Sequence, residues 1–166
     1  MRSFFSFPNP VDDAAARTVA IGVVAMTTLA LVCNWSWLLV PLTYGFAARV
    51  AAGPKLSPLG RFAVHLAAPR LVSWQKFVPG PPKRFAQSVG LAFAGVASVV
   101  TLTAGWGTAK WILLPLLAAA SLEGFAGYCL GCTMFSFLMK VGLIPESVCL
   151  ECADISARLA ANQHDL

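Results

Sequence analysis

Four cysteines toward the C-terminal end have the type and spacing to do chemistry. Cys129 and Cys132 stand as CLGC and Cys149 and Cys152 as CLEC, with sixteen residues between the pairs, a C-x2-C-x16-C-x2-C pattern. This spacing suits a four-thiolate metal site, with zinc as its natural ion, or two facing dithiols. The pairs fall within Trp111–Cys152, which opens as an apolar, helix-like run with one carboxylate, Glu123, inside it. Everything upstream reads as scaffold for that stretch.

The scaffold has membrane character. Of 166 residues, 58% are apolar and 11% charged, and the mean hydropathy is +0.73, too apolar for an ordinary soluble domain. One membrane domain over 1–166 follows. The net charge of +5 sits between apolar runs instead of along one polar face, which argues against nucleic acid and for contact with a lipid bilayer.

An all-α polytopic fold is predicted, with four transmembrane helices at about 17–33, 36–52, 85–105 and 110–140, each near the roughly 20 residues that cross about 30 Å of hydrocarbon. Asn34–Trp37 forms the first tight turn, its tryptophans suited to the boundary. In the connector, 53–84, Leu59, Phe62, Ala63, Leu66 and Ala67 recur at helical spacing, which predicts an interfacial helix between the second and third spans. Pro79–Pro82 reads as a stiff non-helical elbow. His65 and Trp74 read as interfacial residues. Gly90, Ala94, Gly95 and Ala97 offer a weak helix-contact signal, since Gly90-x4-Gly95 lacks the GxxxG spacing.

The N-terminal segment lacks a signal-peptide pattern and is expected to be retained, and Asp12 and Asp13 suit a helix start. Basic residues concentrate in the connector and the terminal segments, while the two hairpin tips hold only Lys110. Both termini, the connector and a Cys-containing tail at 141–166 should therefore face the cytoplasm, where thiols stay reduced. Cys33 reads as a small packing residue.

Two ionisable residues fall inside apolar runs. Arg49 lies 12 to 14 residues from Trp35–Trp37, and Glu123 lies 13 from Lys110, so both reach roughly 20 Å depth at about 1.5 Å per residue. An intramembrane Arg49–Glu123 ion pair is one expectation. The alternatives are a neutral Glu123 and an Arg49 that reaches the headgroups.

The segments VDDAAAR, GPKLSPLGR, FVPGPPKRFAQSVGL, EGFAGYCLGC and GLIPESVCLEC resemble, in type, order and spacing, the DUF4395 family of bacterial integral membrane proteins. The resemblance covers nearly the whole chain. It implies a four-helix protein of the bacterial inner membrane associated with thioredoxin-like or sulfurtransferase proteins, and no established activity.

Gly142 is a natural helix stop and Pro145 a natural restart, which predicts a helical hairpin with each CxxC pair on one helix face. Converging thiolates would hold zinc, and Glu146, Glu151 and Asp154 nearby would suit a cation. Separate pairs would make a dithiol relay passing electrons or a persulfide to a soluble partner. In the relay, Cys149, near the start of a tail helix, is the expected nucleophile, and Cys129, late in a long helix, gains no help from a dipole. Spacing alone favours metal, whereas the resemblance and the position at the membrane edge favour thiol-redox or sulfur-transfer chemistry, the preferred reading. A non-enzymatic scaffold with a structural zinc site is the alternative. A small transporter is the weakest reading, since neither an inverted repeat nor a polar path is present. Hydrolase, zincin, P-loop and dinucleotide signatures are absent.

Overall fold

The computed structural model describes residues 11–53, 56–67 and 77–144. Apart from one two-stranded ribbon, it is helical. Strand β1 (Val11–Asp12) runs directly into α1 (Asp13–Cys33). Asp12 caps α1, its carboxylate accepting the Ala14 N–H at 2.9 Å, the expected way to satisfy a free first-turn donor. The helix thus starts at the acidic pair, as expected, with Asp13 in its first turn, and extends four residues ahead of the span expected from about 17.

Asn34 ends α1 in the left-handed region at φ 57°, and a 3-10 turn, Ser36–Leu38, leads into α2 (Leu39–Ala52). Asn34 also ties the hairpin tips, its Oδ1 accepting from Trp106 Nε1 at 3.3 Å and from Lys110 Nζ. A short helix, α3 (Pro58–Phe62), continues as a π turn over Ala63–Ala67. Leu59 and Ala63 pack on Ala15 and Val19 of α1, while Phe62 of the predicted stripe is exposed, as is His65 outside it.

Strand β2 (Phe77–Val78) pairs antiparallel with β1, Val11 opposite Val78 and Asp12 opposite Phe77. Helix α4 (Gly80–Thr103) then begins inside the expected proline elbow. Prolines 81 and 82 sit in its first turn, where a missing N–H costs nothing because no intrahelical acceptor exists there. Helix α5 (Trp106–Ser121) continues as a π turn, Leu122–Ala126, before the chain breaks at Gly127. Helix α6 (Leu130–Lys140) follows, ending at Gly142 with φ 81°. The single helix expected over 110–140 is therefore two helices.

Among the described residues, three segments are long and apolar enough to cross a membrane: Asp13–Cys33, Gly80–Thr103 and Trp106–Ala126. Helix α2 has 14 residues, about 21 Å, short of the hydrocarbon thickness by itself. Large apolar side chains such as Val40, Leu102 and Trp111 point outward, while the core between the helices combines Leu39, Leu42, Phe46, Leu113 and Leu116 with small residues. Gly90, Ala94 and Ala97 of α4 are buried, and Phe46 lies so close to Gly90 that a Cβ there would come within 2.3 Å of its ring. The missing side chain at Gly90 lets the Phe46 ring of α2 seat directly against α4, a close contact that gains dispersion energy. Gly95, by contrast, faces open space.

Candidate functional site

The ribbon places the start of α1 beside the start of α4, and there the buried charges meet. Lys83, in the first turn of α4, bonds Asp13 Oδ1 at 3.1 Å and Glu123 Oε1 at 2.8 Å through its Nζ. Arg17 Nε bonds the other oxygen of Asp13 at 2.9 Å. Two carboxylates and two cations thus compensate one another, as buried charge requires. Glu123 reaches the cluster from the π turn that ends α5, the kind of helix irregularity that re-aims a side chain.

Gly127 then turns the chain at φ 68°, and a Cβ on it would fall 1.9 Å from Arg17 Nη2. The guanidinium occupies the space that any other residue would fill. Two residues on, Cys129 becomes the N-cap of α6: its Sγ accepts the Cys132 N–H at 3.3 Å and the Cys132 thiol at 2.7 Å. Gly131, inside the CLGC motif, presses α6 onto α4, since a Cβ there would lie 2.6 Å from Ala86 Cα. Phe85 and Phe135 add a tilted ring contact at 5.7 Å.

Cys129 and Cys132 lie past Ala126, where the third candidate span ends. The Cys132 thiol, by donating to Cys129, holds the Cys129 thiol below its ordinary range. Lys83 and the Cys132 N–H act in the same direction, and burial and Glu123 oppose them. Cys132 is pushed up, by its bond to Cys129 and by burial. The pair is thus divided into one sulfur suited to attack as thiolate and one held as thiol.

A cavity of about 250 Å³ adjoins the pair, with Cys129, Glu123 and Gln87 at one end and apolar side chains of α1, α4, α5 and α6 elsewhere.

The expected Arg49–Glu123 pair does not form. Arg49 donates to Gln87 Oε1 at 2.8 Å and Ser57 Oγ at 3.2 Å, and stacks over Phe46 at 4.7 Å. Helix α4 packs against both α2 and α5, offering Gln87 to Arg49 and, one turn earlier, Lys83 to Glu123. Arg49 is buried, so it does not reach the headgroups either. A third span starting at Phe85 leaves Lys83 outside the bundle; prolines 81 and 82, as first-turn residues, bring it inside.

The placement of Cys129 late in a helix is likewise corrected: the break at Gly127 makes it the first residue of a new one. Cys33 is exposed at the far end of α1 and does not pack in the bundle. Cys149, Cys152, Trp74 and the tail restart at Pro145 lie outside the described residues. Among the described residues no three of His, Cys, Asp or Glu gather at a common ion position.

Four of the five segments that carry the family resemblance contribute here: Asp13 and Arg17, Ser57, Lys83 and Gln87, and Glu123 through Cys132. A family model described as "Domain of unknown function (DUF4395)" matches residues 11–140, and the chain belongs to that family. No curated protein and no solved structure matches.

Proposed function

We propose that this DUF4395 protein is a membrane dithiol–disulfide exchange protein in which Cys129 attacks and Cys132 resolves, with a thioredoxin-like or sulfurtransferase protein as its soluble partner. The observation that carries this reading is the N-cap position of Cys129, where a helix N-terminus and the Cys132 thiol both favour the thiolate. In the exchange, Cys129 Sγ attacks a partner disulfide and releases one partner thiolate. Cys132 Sγ then attacks Cys129 Sγ, breaking the mixed disulfide and releasing the second thiolate, so two electrons pass to the partner. Cys149 and Cys152 supply a second dithiol to the same relay.

The test is trapping. In a Cys132→Ser variant the mixed disulfide with a thioredoxin-like partner should accumulate at Cys129, and Cys129→Ser should abolish it while Cys33→Ser leaves it intact. Equal trapping in Cys129→Ser would remove Cys129 from the attacking role. About one zinc per chain and no accessible thiols in anaerobically purified protein would replace the exchange reading with a structural four-cysteine site.

The site is placed at the cytoplasmic face of a bacterial inner membrane, with both termini and the basic connector on that side. Support comes from charge: Arg17, Arg61, Lys83 and Arg84 fall at or near the dithiol end, and the opposite hairpin tips carry Lys110. The 3-10 turn together with α2 covers about 25 Å, which supports a fourth crossing, and α3 is read as the interfacial helix. Reporter fusions that put Pro79–Lys83 outside would reverse the orientation.

A further inference from the structure

The cavity beside Cys129 has a composition that the exchange reaction leaves unused. Its wall comes from the three candidate spans, with Val19 and Val23 on α1, Phe93 on α4 and Leu116 on α5, and from Met134 of α6. Such a wall faces hydrocarbon depth and repels anions and sugars. Its polar groups gather at one end, where Cys129, Glu123 and Gln87 stand. At about 250 Å³ it exceeds the roughly 150 Å³ that holds a benzene ring, and falls below the roughly 300 Å³ at which sites for drug-sized ligands begin. One substituted ring fits, with any tail left in the lipid.

We infer that this cavity binds the ring of a lipophilic quinone, which oxidises the Cys129–Cys132 dithiol. The inference rests on the dithiol reading and adds a second electron acceptor, for which the exchange with the soluble partner runs in reverse. A dithiol gives up electrons in pairs, and a quinone is a lipid-soluble acceptor that takes two. Cys129 Sγ adds to a ring carbon, forming a C–S bond. Cys132 Sγ then attacks Cys129 Sγ, the S–S bond forms, and the electron pair of the broken C–S bond stays on the ring. Cys132 gives up one proton and water at the polar end supplies the second, so quinone plus dithiol becomes quinol plus disulfide. The exchange then runs backwards: a thiolate of a reduced partner attacks Cys129 Sγ and releases Cys132, and the second partner thiol breaks the mixed disulfide, so the pair is reduced and the partner is left as a disulfide.

The test uses the full chain, reduced, in lipid nanodiscs and in a Cys33→Ser background. The probe is a fully ring-substituted benzoquinone with a decyl tail, which resists permanent arylation. Quinol formation followed by absorbance should match, one to one, the Cys129–Cys132 disulfide counted by peptide mass spectrometry. Ala119→Phe, which puts a ring into the cavity wall, should slow the quinone reaction at least tenfold relative to reaction with a soluble aromatic disulfide. On unaltered protein, a decyl-tailed dimethoxybenzene should compete with the quinone alone, so the result stands even if the variant fails to fold. If the soluble disulfide oxidises the pair and the quinone does not, the quinone site is overturned and the exchange reading survives. If neither oxidises it, both fall. Quinone reduction insensitive to both the filled cavity and the inert ring would place the reaction elsewhere and overturn the site.

Discussion

Replacing Lys83 by methionine separates the structural work of the charge cluster from its effect on the thiol. Methionine keeps the chain length and deletes the charge. The Lys83, Asp13 and Glu123 side chains are 7%, 10% and 14% exposed, so water cannot replace the lost ammonium. Asp13 keeps Arg17, and the penalty concentrates on Glu123. Removing one partner of such a buried pair costs about 3–5 kcal/mol, a hundredfold or more in the folded-to-unfolded ratio. Equilibrium unfolding in mixed detergent should show that loss, and a Lys83→Met/Glu123→Gln double variant should be more stable than Lys83→Met alone. The thiol adds a signed readout that stability does not share. Lys83 favours the Cys129 thiolate and Glu123 opposes it, so the pH profile of Cys129 alkylation should move up in Lys83→Met and down in Glu123→Gln, although both lose stability. Unfolding within about 0.5 kcal/mol of the parent, the scatter of ordinary surface substitutions, together with an unmoved alkylation profile in Lys83→Met, would refute the cluster's role.

Cys132→Ala removes the thiol donor to Cys129, so Cys129 alkylation should shift to higher pH, while Cys132→Ser, which still offers an O–H, should shift it less. The linkage has a sign that urea or detergent titrations across pH can check. Because the fold lowers the Cys129 pKa, its contribution is full above the unfolded value of about 8.5 and is lost as pH falls through the folded value. Cys132 resists ionisation in the fold, so stability should fall as pH climbs above about 8.5, and Cys132→Ala should remove that alkaline loss. Gly131→Val puts branched carbon into the Ala86 backbone; overpacking of this kind costs about 1–3 kcal/mol, and it should also slow mixed-disulfide formation by displacing α6. Arg49 and Glu123 take separate hydrogen-bonding partners, so an Arg49→Met/Glu123→Gln cycle should show weaker coupling than the Lys83/Glu123 cycle, whose groups are in direct contact.

The apolar runs, the tryptophan turn, the Asp12 cap, the Gly142 stop and the CxxC motif were legible because each depends on neighbours within a few residues. Capping, proline placement and hydropathy act over one or two helical turns, and even the early start of α4 was encoded locally by Pro81 and Pro82. The partners of the charges were not legible. Lys83 meets Asp13 across 70 positions and Glu123 across 40, and which cation wins a buried carboxylate depends on which helix stands between the others. Depth along a helix places Arg49 and Glu123 at similar levels but says nothing about α4 packing against both α2 and α5. The role of Cys129 likewise changed with one backbone angle: Gly127 takes φ 68° beneath the Arg17 guanidinium, the long apolar run breaks, and a cysteine expected late in one helix becomes the cap of the next. Only tertiary packing decides that, because the group that favours the break is supplied by α1, more than a hundred residues earlier in the chain.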